Sequence, residues 1–359
     1  MTRPLVAQID LAALKANVTR VRQYAPAAKV LAVLKANGYG HGLERVLPAL
    51  DGADGLALLE LDAALRLRAR GYARPLVLLE GCFDARELPE VATAGVEIVV
   101  HSTWQIAMLR EAKLPRRVGV HVKINTGMNR LGFAPADARS ACESLAALPT
   151  VDVRAIMTHF ASADDVRGLE APLARFAEAC HGLRWPRSLA NSAGVVRYAE
   201  VGGDWVRPGI MLYGATPFAD RSAASLGLVP VMTLRSRLIG VQTLAAGESV
   251  GYGGLFTARA PMRLGVVACG YADGYPRHAP SGTPVRVAGR RAVTAGRVSM
   301  DMLAVDLAGI PDADVGSDVV LWGEELPVDE VAAAAGTVGY ELLCAVAPRV
   351  TFEIAATAA

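Results

Sequence analysis

Short apolar runs alternate with longer segments of helical periodicity over the first two thirds of the chain. Eight of these runs have the length and continuity of buried parallel strands. They are Val30–Leu34, Leu56–Leu59, Leu76–Leu79, Val96–Val100, Val118–Ile124, Val151–Met157, Ser188–Ala190 and Trp205–Leu212. The helical segments between them include Leu61–Arg70, Trp104–Ala112 and Pro172–Leu183. This alternation predicts an α/β protein with an N-terminal (β/α)8 TIM-like barrel, and a doubly wound open sheet is the alternative.

The pattern changes after about Phe218. Between Val229 and Gly323 the apolar runs come at short spacing and are divided by Gly, Pro and Ser, which is typical of antiparallel strands. Only the closing segment, Val328–Val346, has clear helical periodicity. We therefore predict a barrel domain over residues 1–225 and a mainly antiparallel β domain over residues 226–359, divided in the polar loop Ala219–Gly227.

Composition and charge exclude several classes of protein. Of the 359 residues, 52% are hydrophobic and 20% are charged, and the formal net charge is +2. This balance is typical of a well-buried globular protein, and no basic and aromatic cluster indicates a nucleic-acid surface. Asp10 and Lys15 interrupt the apolar N-terminal stretch, so it resembles neither a secretory signal nor a membrane-spanning helix, and we expect a cytoplasmic protein. The histidines show no metal-ligand spacing, so no metal is expected.

Lys35 is the sharpest candidate for catalysis. It follows five apolar residues at the end of the first predicted barrel strand, and active sites of such barrels lie at that end of the strands. Of the 37 basic residues only five are lysines, which makes a lysine at this place unusual for the chain. Desolvation there would favour the neutral amine, which is a nucleophile. The alternative is a lysine whose ammonium group reaches solvent at the barrel rim.

Other strand ends add polar groups to the same face. Tyr39, Ser192, Gly209 and the backbone N–H of Ile210 would form a cradle for a phosphate group, although Gly and Ser are also common in simple turns. A second set of polar side chains at this face comprises Lys123, Arg130, His159 and Arg207. The histidine and the last arginine are equally suited to a structural hydrogen-bonded pair.

Several segments resemble those of bacterial alanine racemases, which are fold-type III pyridoxal-phosphate enzymes. The longest are Val33–Gly42 (VLKANGYGHG), Val122–Phe133 (VKINTGMNRLGF), Met157–Asp164 (MTHFASAD), Arg207–Gly214 (RPGIMLYG), Gly270–Pro276 (GYADGYP) and Gly296–Met302 (GRVSMDM). Shorter matches are Asn191–Ala193, Gly251–Gly253 and Tyr340–Glu341. They occur in order over nearly the whole chain, and the resemblance implies a barrel followed by a β domain.

The resemblance also implies a role for each matching residue. Lys35 would hold pyridoxal 5′-phosphate covalently and serve as one catalytic acid–base group. Tyr252 would be the second, on the opposite face of the substrate, with His159 and Arg207 behind it. The further cofactor-binding residues would be Tyr39, Arg130, His159, Asn191, Ser192, Arg207, Gly209, Ile210 and Tyr340.

Two more features of the family concern the substrate carboxylate and a modified lysine. Arg130 and the backbone N–H of Met300 would bind the carboxylate of alanine. Lys123 matches a lysine that is carbamylated in several members and positions the arginine. Asn125 departs from the family, because many members carry Asp at that place.

Racemisation suits these residue types. Interconversion of L-alanine and D-alanine removes a proton from one face of the α-carbon and delivers one to the other, which requires two acid–base groups. Tyr252 lies in the predicted β domain, and in the family this tyrosine reaches the other subunit, so we expect a homodimer with shared active sites. The reaction would supply D-alanine for peptidoglycan or serve alanine catabolism.

Three alternatives remain. A barrel-type decarboxylase of ornithine, arginine or diaminopimelate would share Lys35, but it gives no reason for the segments around Tyr252 and Met300. A non-catalytic pyridoxal-phosphate-binding protein would be a barrel only. Periplasmic racemases of broad specificity carry signal peptides, and we find none at the start of this sequence.

Overall fold

A closed barrel of eight parallel strands forms the first part of the molecule. The computed structural model describes residues 3–198, 201 and 203–355. The barrel strands are β2 (Lys29–Val33), β3 (Gly55–Leu58), β4 (Leu76–Leu78), β5 (Glu97–Val100), β6 (Val118–Lys123), β7 (Val151–Met157), β8 (Arg187–Ser188) and β9 (Trp205–Val206). The barrel closes where β2 pairs with β9, with Lys29 opposite Trp205 and Val30 opposite Val206. The predicted barrel is confirmed, and the open-sheet alternative is wrong.

Helices connect the strands around the outside. They are α1 (Leu11–Tyr24), which precedes the barrel, α3 (Leu43–Val46), α4 (Leu61–Ala69), α5 (Leu88–Ala94), α6 (Thr103–Glu111), α7 (Ala138–Ala146), α8 (Glu170–Ala179) and α9 (Ser192–Arg197). The short segment α2 (Lys35–Tyr39) is a left-handed turn and not an ordinary helix. Asp10 begins α1 by accepting hydrogen bonds from the backbone N–H groups of Ala12 and Ala13, as an N-cap aspartate does.

An eight-stranded sheet forms the second part. Its strands are β1 (Val6–Ile9), β10 (Met232–Leu244), β13 (Met262–Val267), β14 (Pro284–Val287), β15 (Arg290–Val293), β16 (Leu303–Asp306), β17 (Asp318–Trp322) and β18 (Thr351–Ile354). All pairings are antiparallel except that of β1 with β18. The long strand β10 organises this sheet, because it pairs with β1 and β17 along its first half and with β13 along its second. The predicted antiparallel β domain is confirmed.

Three smaller elements place residues of interest. The hairpin of β11 (Ser249–Val250) and β12 (Phe256–Thr257) carries Tyr252 in its loop and rests on a small separate cluster of apolar residues that includes Val250 and Leu264. Helices α10 (Val328–Ala334) and α11 (Gly339–Ala345) pack between the second sheet and the barrel. Among the helices of residues 3–198, 201 and 203–355, none is both long and apolar enough to cross a lipid bilayer.

Candidate active site

A cavity of about 1000 Å³ opens at the carboxyl ends of the barrel strands. This is the face at which barrel enzymes place their active sites. The predicted site residues that line it are Lys35, Tyr39, Lys123, Arg130, His159, Asn191, Ser192, Arg207, Gly209, Ile210 and Tyr340. The structure therefore brings together every predicted residue except Tyr252 and Met300.

Lys35 is separated from the end of β2 by Leu34 alone, at the point where the chain enters the left-handed turn. Ala36, Asn37 and Tyr39 have φ angles of 52°, 54° and 50°, in the region that L-residues normally avoid. Backbone hydrogen bonds of 2.9 Å from Gly38 N–H to the Leu34 carbonyl and from Gly40 N–H to the Ala36 carbonyl hold this conformation. The turn places both Lys35 and Tyr39 on the cavity wall within five residues.

The Tyr39 hydroxyl marks one end of the cavity. A Cβ added at Gly209 would overlap this hydroxyl, so only glycine allows the two groups to come so close. Ser192 Oγ lies beside them and accepts a 2.9 Å hydrogen bond from the Gly209 N–H. Tyr340, at the start of α11, completes the group, with its ring centroid 6.1 Å from that of Tyr39. Burial raises the pKa of both phenols above their usual value, so both hydroxyls stay protonated and can donate hydrogen bonds.

Arg207 is buried at the inner wall of the cavity. Its guanidinium donates hydrogen bonds of 2.7 Å to Ser188 Oγ and of 2.6 Å to the Thr158 carbonyl, and a longer one to the Leu189 carbonyl. Burial lowers the pKa of Arg207 to about 10, which still leaves it charged at neutral pH. These bonds go to the ends of neighbouring barrel strands and not to His159, so the structure does not contain the hydrogen-bonded pair considered above.

His159 and Lys123 share a cluster of positive charge with Arg207, Arg130 and Lys35. Burial, with the positive charges of Arg207 and Lys123 next in importance, holds the pKa of His159 well below its usual value, so the imidazole is neutral. Burial and the positive charges of Arg207, Arg130 and Lys35 lower the pKa of Lys123 to about 8. A substantial fraction of Lys123 is therefore a neutral amine under mildly basic conditions.

Asn125 holds the loop that leads from Lys123 to Arg130. Its Oδ1 accepts hydrogen bonds of 3.1 Å from the Gly127 N–H and 3.0 Å from the Asn129 N–H, and its Nδ2 donates to Asn129 Oδ1 at 3.0 Å. Because Asn129 has a positive φ, the loop depends on such local bonds. The departure from aspartate thus has a structural role as a turn-forming amide.

Tyr252 and Met300 lie away from this cavity, in the second part of the molecule. They are 71% and 52% exposed, high values for large apolar side chains. Arg349 forms a 2.5 Å ion pair with Asp301 and a 2.6 Å ion pair with the buried Asp273, which anchors the loop next to Met300. Both predicted residues are therefore exposed, and these ion pairs hold the loop that carries Met300.

Sequence reasoning missed several residues that shape the cavity. Tyr213 stacks on Tyr39, and its hydroxyl donates a 3.1 Å hydrogen bond to the Val33 carbonyl. The buried hydroxyls of Thr126 and Thr158 lie 2.7 Å apart beneath Arg207. Tyr213 and Thr158 lie within the segments RPGIMLYG and MTHFASAD, so their place in these matched segments is the sequence signal that could have identified them. In the part of the chain that the structure describes, no three His, Cys, Asp or Glu residues form a group suited to a metal ion.

Comparison with known proteins finds one family along nearly the whole chain. The family model "Alanine racemase, N-terminal domain" matches residues 9–217, and "Alanine racemase, C-terminal domain" matches residues 231–354. The alanine racemase of Polaromonas naphthalenivorans is 56% identical, over 99% of this chain and 100% of the relative. The catabolic alanine racemase of Klebsiella aerogenes is 53% identical, over 98% and 99% of the two chains.

Solved structures lead to the same family. The biosynthetic alanine racemase of Pseudomonas aeruginosa superposes with a TM-score of 0.96 and is 48% identical, covering 99% of this chain and 100% of its own. The alanine racemase of Bartonella henselae, described with covalently bound pyridoxal phosphate, has a TM-score of 0.87 at 26% identity, covering 98% and 99%. Fold, cavity and sequence together show that the chain belongs to the alanine racemase family and is an amino-acid racemase.

Proposed function

We propose that this chain binds pyridoxal 5′-phosphate in the barrel cavity and uses it to interconvert L-alanine and D-alanine. One observation carries the proposal: Lys35 and a set of phosphate donors line the same cavity. Two protonated phenols and a serine hydroxyl meet beside Gly209, where a Cβ would block the approach, so these donors fit a phosphate group. The covalently bound cofactor of the Bartonella henselae enzyme supports the assignment.

Each residue then has a defined task. Lys35 would hold the cofactor through its amine, while Tyr39, Ser192, Gly209, Ile210 and Tyr340 would hold its phosphate. The bound cofactor supplies an electron sink that makes the α-proton of alanine acidic. Arg207 would act on the cofactor ring and, as a group with hydrogen-bond donors only, would help to orient it without readily yielding a proton.

Two proton carriers act on opposite faces of the substrate. The Lys35 amine takes or delivers a proton on one face, and the Tyr252 phenol does so on the other. Because Tyr252 is exposed and remote from the cavity of its own chain, we propose that it serves the site of a second copy in a homodimer. The neutral His159 imidazole lies where it can accept a hydrogen bond from a group entering the cavity.

The substrate carboxylate is bound by a permanent cation and a backbone donor. Arg130 lines the cavity and supplies the guanidinium, and the partner's Met300 supplies the N–H.

Lys123 is proposed to carry a carbamate. In this step its neutral Nζ forms an N–C bond with carbon dioxide and releases one proton, so a neutral amine becomes an anionic carbamate. The change is favourable here because Arg130, Arg207 and Lys35 provide positive charge around a buried amine. The anion would then fix the Arg130 guanidinium toward the substrate.

The proposed activity is compatible with a biosynthetic role and with a catabolic role. Relatives of both descriptions, biosynthetic and catabolic, are similar to this chain over nearly its full length. We therefore propose racemisation of alanine as the activity, whether it supplies D-alanine for peptidoglycan or consumes it.

Replacement of the cofactor-binding lysine tests the proposal. Lys35→Ala should abolish both the visible absorbance of the lysine-bound cofactor and the formation of D-alanine from L-alanine. The matched control is Lys29→Ala, at the exposed opposite end of the same strand, where Nζ lies 5.4 Å from the Trp205 ring centroid. The control should keep both properties.

The outcomes separate the candidates. Cofactor absorbance without D-alanine would contradict alanine racemisation, and loss of the amino-acid carboxylate as carbon dioxide would then indicate the decarboxylase. Cofactor binding without turnover of any amino acid would indicate a non-catalytic binding protein. Absence of the absorbance in the unmodified protein supplied with pyridoxal phosphate would refute the proposal at its first step.

A further inference from the structure

A buried column of three rings stands behind the phosphate end of the cavity. The Tyr39 and Tyr213 rings stack with centroids 4.7 Å apart, and the His41 and Tyr213 rings lie 4.6 Å apart. All three side chains are buried, and His41 has no exposed surface at all. The column thus connects the tyrosine hydroxyl at the cavity wall to the protein interior.

The His41 ring also holds the backbone of the same turn. Its Nδ1 lies 2.9 Å from the Tyr39 carbonyl oxygen and 3.1 Å from that of Gly38. Both partners accept hydrogen bonds only, so Nδ1 must carry the hydrogen. Because burial lowers the pKa of His41 to about 4, the ring is neutral at physiological pH and donates through this one nitrogen.

The other nitrogen, Nε2, is buried without a hydrogen-bond partner among the described residues. A phenylalanine ring would fill the same space and stack on Tyr213 without leaving a polar atom unpaired. What imidazole adds at this place is therefore the Nδ1–H bond to the turn. That turn needs such support, because Ala36, Asn37 and Tyr39 all adopt the left-handed conformation.

We infer that His41 is a positioning residue, which holds the left-handed turn so that the Tyr39 hydroxyl points at the cofactor phosphate. The inference rests on the proposed cofactor site. The Tyr213 ring fixes the plane of Tyr39, and the Nδ1–H bond of His41 fixes the carbonyl of the same residue. Loss of that bond frees the turn to relax toward ordinary φ angles and carries the hydroxyl away from Gly209.

Two substitutions separate the hydrogen bond from the ring. His41→Phe keeps an aromatic ring and removes the donor, whereas His41→Asn removes the ring and keeps an amide nitrogen at the position of Nδ1. Cofactor-loaded protein is dialysed to equilibrium against graded pyridoxal phosphate, and retained cofactor gives the dissociation constant. Parallel dialysis against pyridoxal, which lacks the phosphate, shows whether an effect belongs to the phosphate end.

We expect His41→Phe to weaken pyridoxal phosphate binding about tenfold, the factor equal to about 1.4 kcal/mol, and to leave pyridoxal binding within about twofold. His41→Asn should stay within about threefold of the unmodified protein for both ligands, although its melting temperature falls because the ring is lost. Equally weakened pyridoxal phosphate binding in both variants would overturn the positioning role of His41. An unchanged dissociation constant in His41→Phe would overturn it too.

A measurement on the unmodified protein covers the case of a variant that does not fold. Nitrogen-15 NMR of labelled histidine should show His41 as the neutral Nδ1–H tautomer, and an Nε2–H tautomer would overturn the inference. Failure of the proposed function would look different from failure of the His41 role. In that case the unmodified protein would retain no more pyridoxal phosphate than Lys35→Ala does.

Discussion

At the scale of single residues, positive charge is concentrated in one part of the cavity, around His159 and Lys123. Lys35, Lys123, Arg130 and Arg207 surround the neutral His159, and the burial of Lys123 and Arg207 removes water that would screen their charges. The cations that lower the pKa of Lys123 would also stabilise a negative charge at the same place.

A carbamate on Lys123 gives a specific pH dependence. Only the neutral amine reacts with carbon dioxide, and the pKa of Lys123 is about 8, so the modified fraction should rise as pH increases through that value. At constant dissolved carbon dioxide, carbon-13 NMR of protein supplied with labelled bicarbonate should show a carbamate signal that is strong at pH 9 and nearly lost at pH 6.

The control for this experiment is a solvent-exposed lysine of the same protein. Lys123→Met should remove the carbamate signal, whereas Lys113→Met, at an exposed site, should leave it. A signal that persists without Lys123, or that does not change between the two pH values, would contradict the assignment.

How far the sequence predicts single residues depends on where their partners lie. Lys35 could be found because an isolated lysine follows an apolar strand, and Ser192 and Gly209 because they stand at strand ends. The stacking of Tyr39 on Tyr213 could not, since these residues are far apart in sequence and meet only when β2 and β9 close the barrel. The neutral state of His159 follows equally from burial and neighbours that only the folded cavity supplies.

At the scale of elements, strand and helix positions were predicted well and their ends less well. The run Trp205–Leu212 was predicted as one strand, but β9 ends at Val206. Pro208 has no N–H for the ladder, although its carbonyl still accepts a 3.0 Å hydrogen bond from Val33, and Ile210–Tyr213 then form a 3-10 helix. An apolar run shows burial but not where the hydrogen-bond ladder stops.

The left-handed turn was not predicted, because its sequence includes residues that rarely adopt positive φ. Its packing explains why it persists: an added Cβ at Gly40 would overlap the carbonyl oxygen of Leu343 in α11. Contact with the second part of the molecule therefore shapes the segment that carries Lys35 and Tyr39.

Gly40→Ala tests this contact. Gly40 has a φ of 81° and no room for a side chain, so we expect a loss of several kcal/mol in unfolding free energy, together with weaker cofactor retention. Gly71 has a similar φ of 86° but nothing within 4 Å, so Gly71→Ala should cost only about 1–2 kcal/mol, the penalty of the backbone conformation. Denaturant unfolding of both variants measures the difference, and equal losses would show that the contact with α11 is unimportant.

At the scale of the whole molecule, the first strand of the chain belongs to the second sheet, where it pairs with the last strand. Strand β1, within the range predicted for the barrel domain, pairs with β10 and β18 instead of with barrel strands. A four-residue strand before a helix has no sequence feature that tells which sheet it joins. One apolar core runs through both parts, so the β domain is held firmly against the barrel.

The attachment of the β domain to the barrel bears on which chain's active site Tyr252 can reach. The tyrosine is exposed on a hairpin loop of the β domain, apart from the cavity of its own chain. Since one core joins the two parts, a movement of the whole β domain that would carry Tyr252 into the same chain's cavity would have to break that core. A second copy can supply the tyrosine without such a rearrangement, and exposed Leu255, Met300 and Met302 provide an apolar surface for it.

Complementation between inactive variants tests this arrangement. Lys35→Ala and Tyr252→Ala should each lack racemase activity, but a mixed dimer contains one site with both groups intact. After equal amounts exchange subunits, half of the dimers are mixed and half of their sites are complete, so activity should recover to about a quarter of that of the unmodified protein. The double variant mixed with Lys35→Ala contains no complete site and should stay inactive. If subunit exchange is demonstrated by mass-tagged chains and activity still does not return, both proton carriers must come from one chain, and the exposed position of Tyr252 would need another explanation.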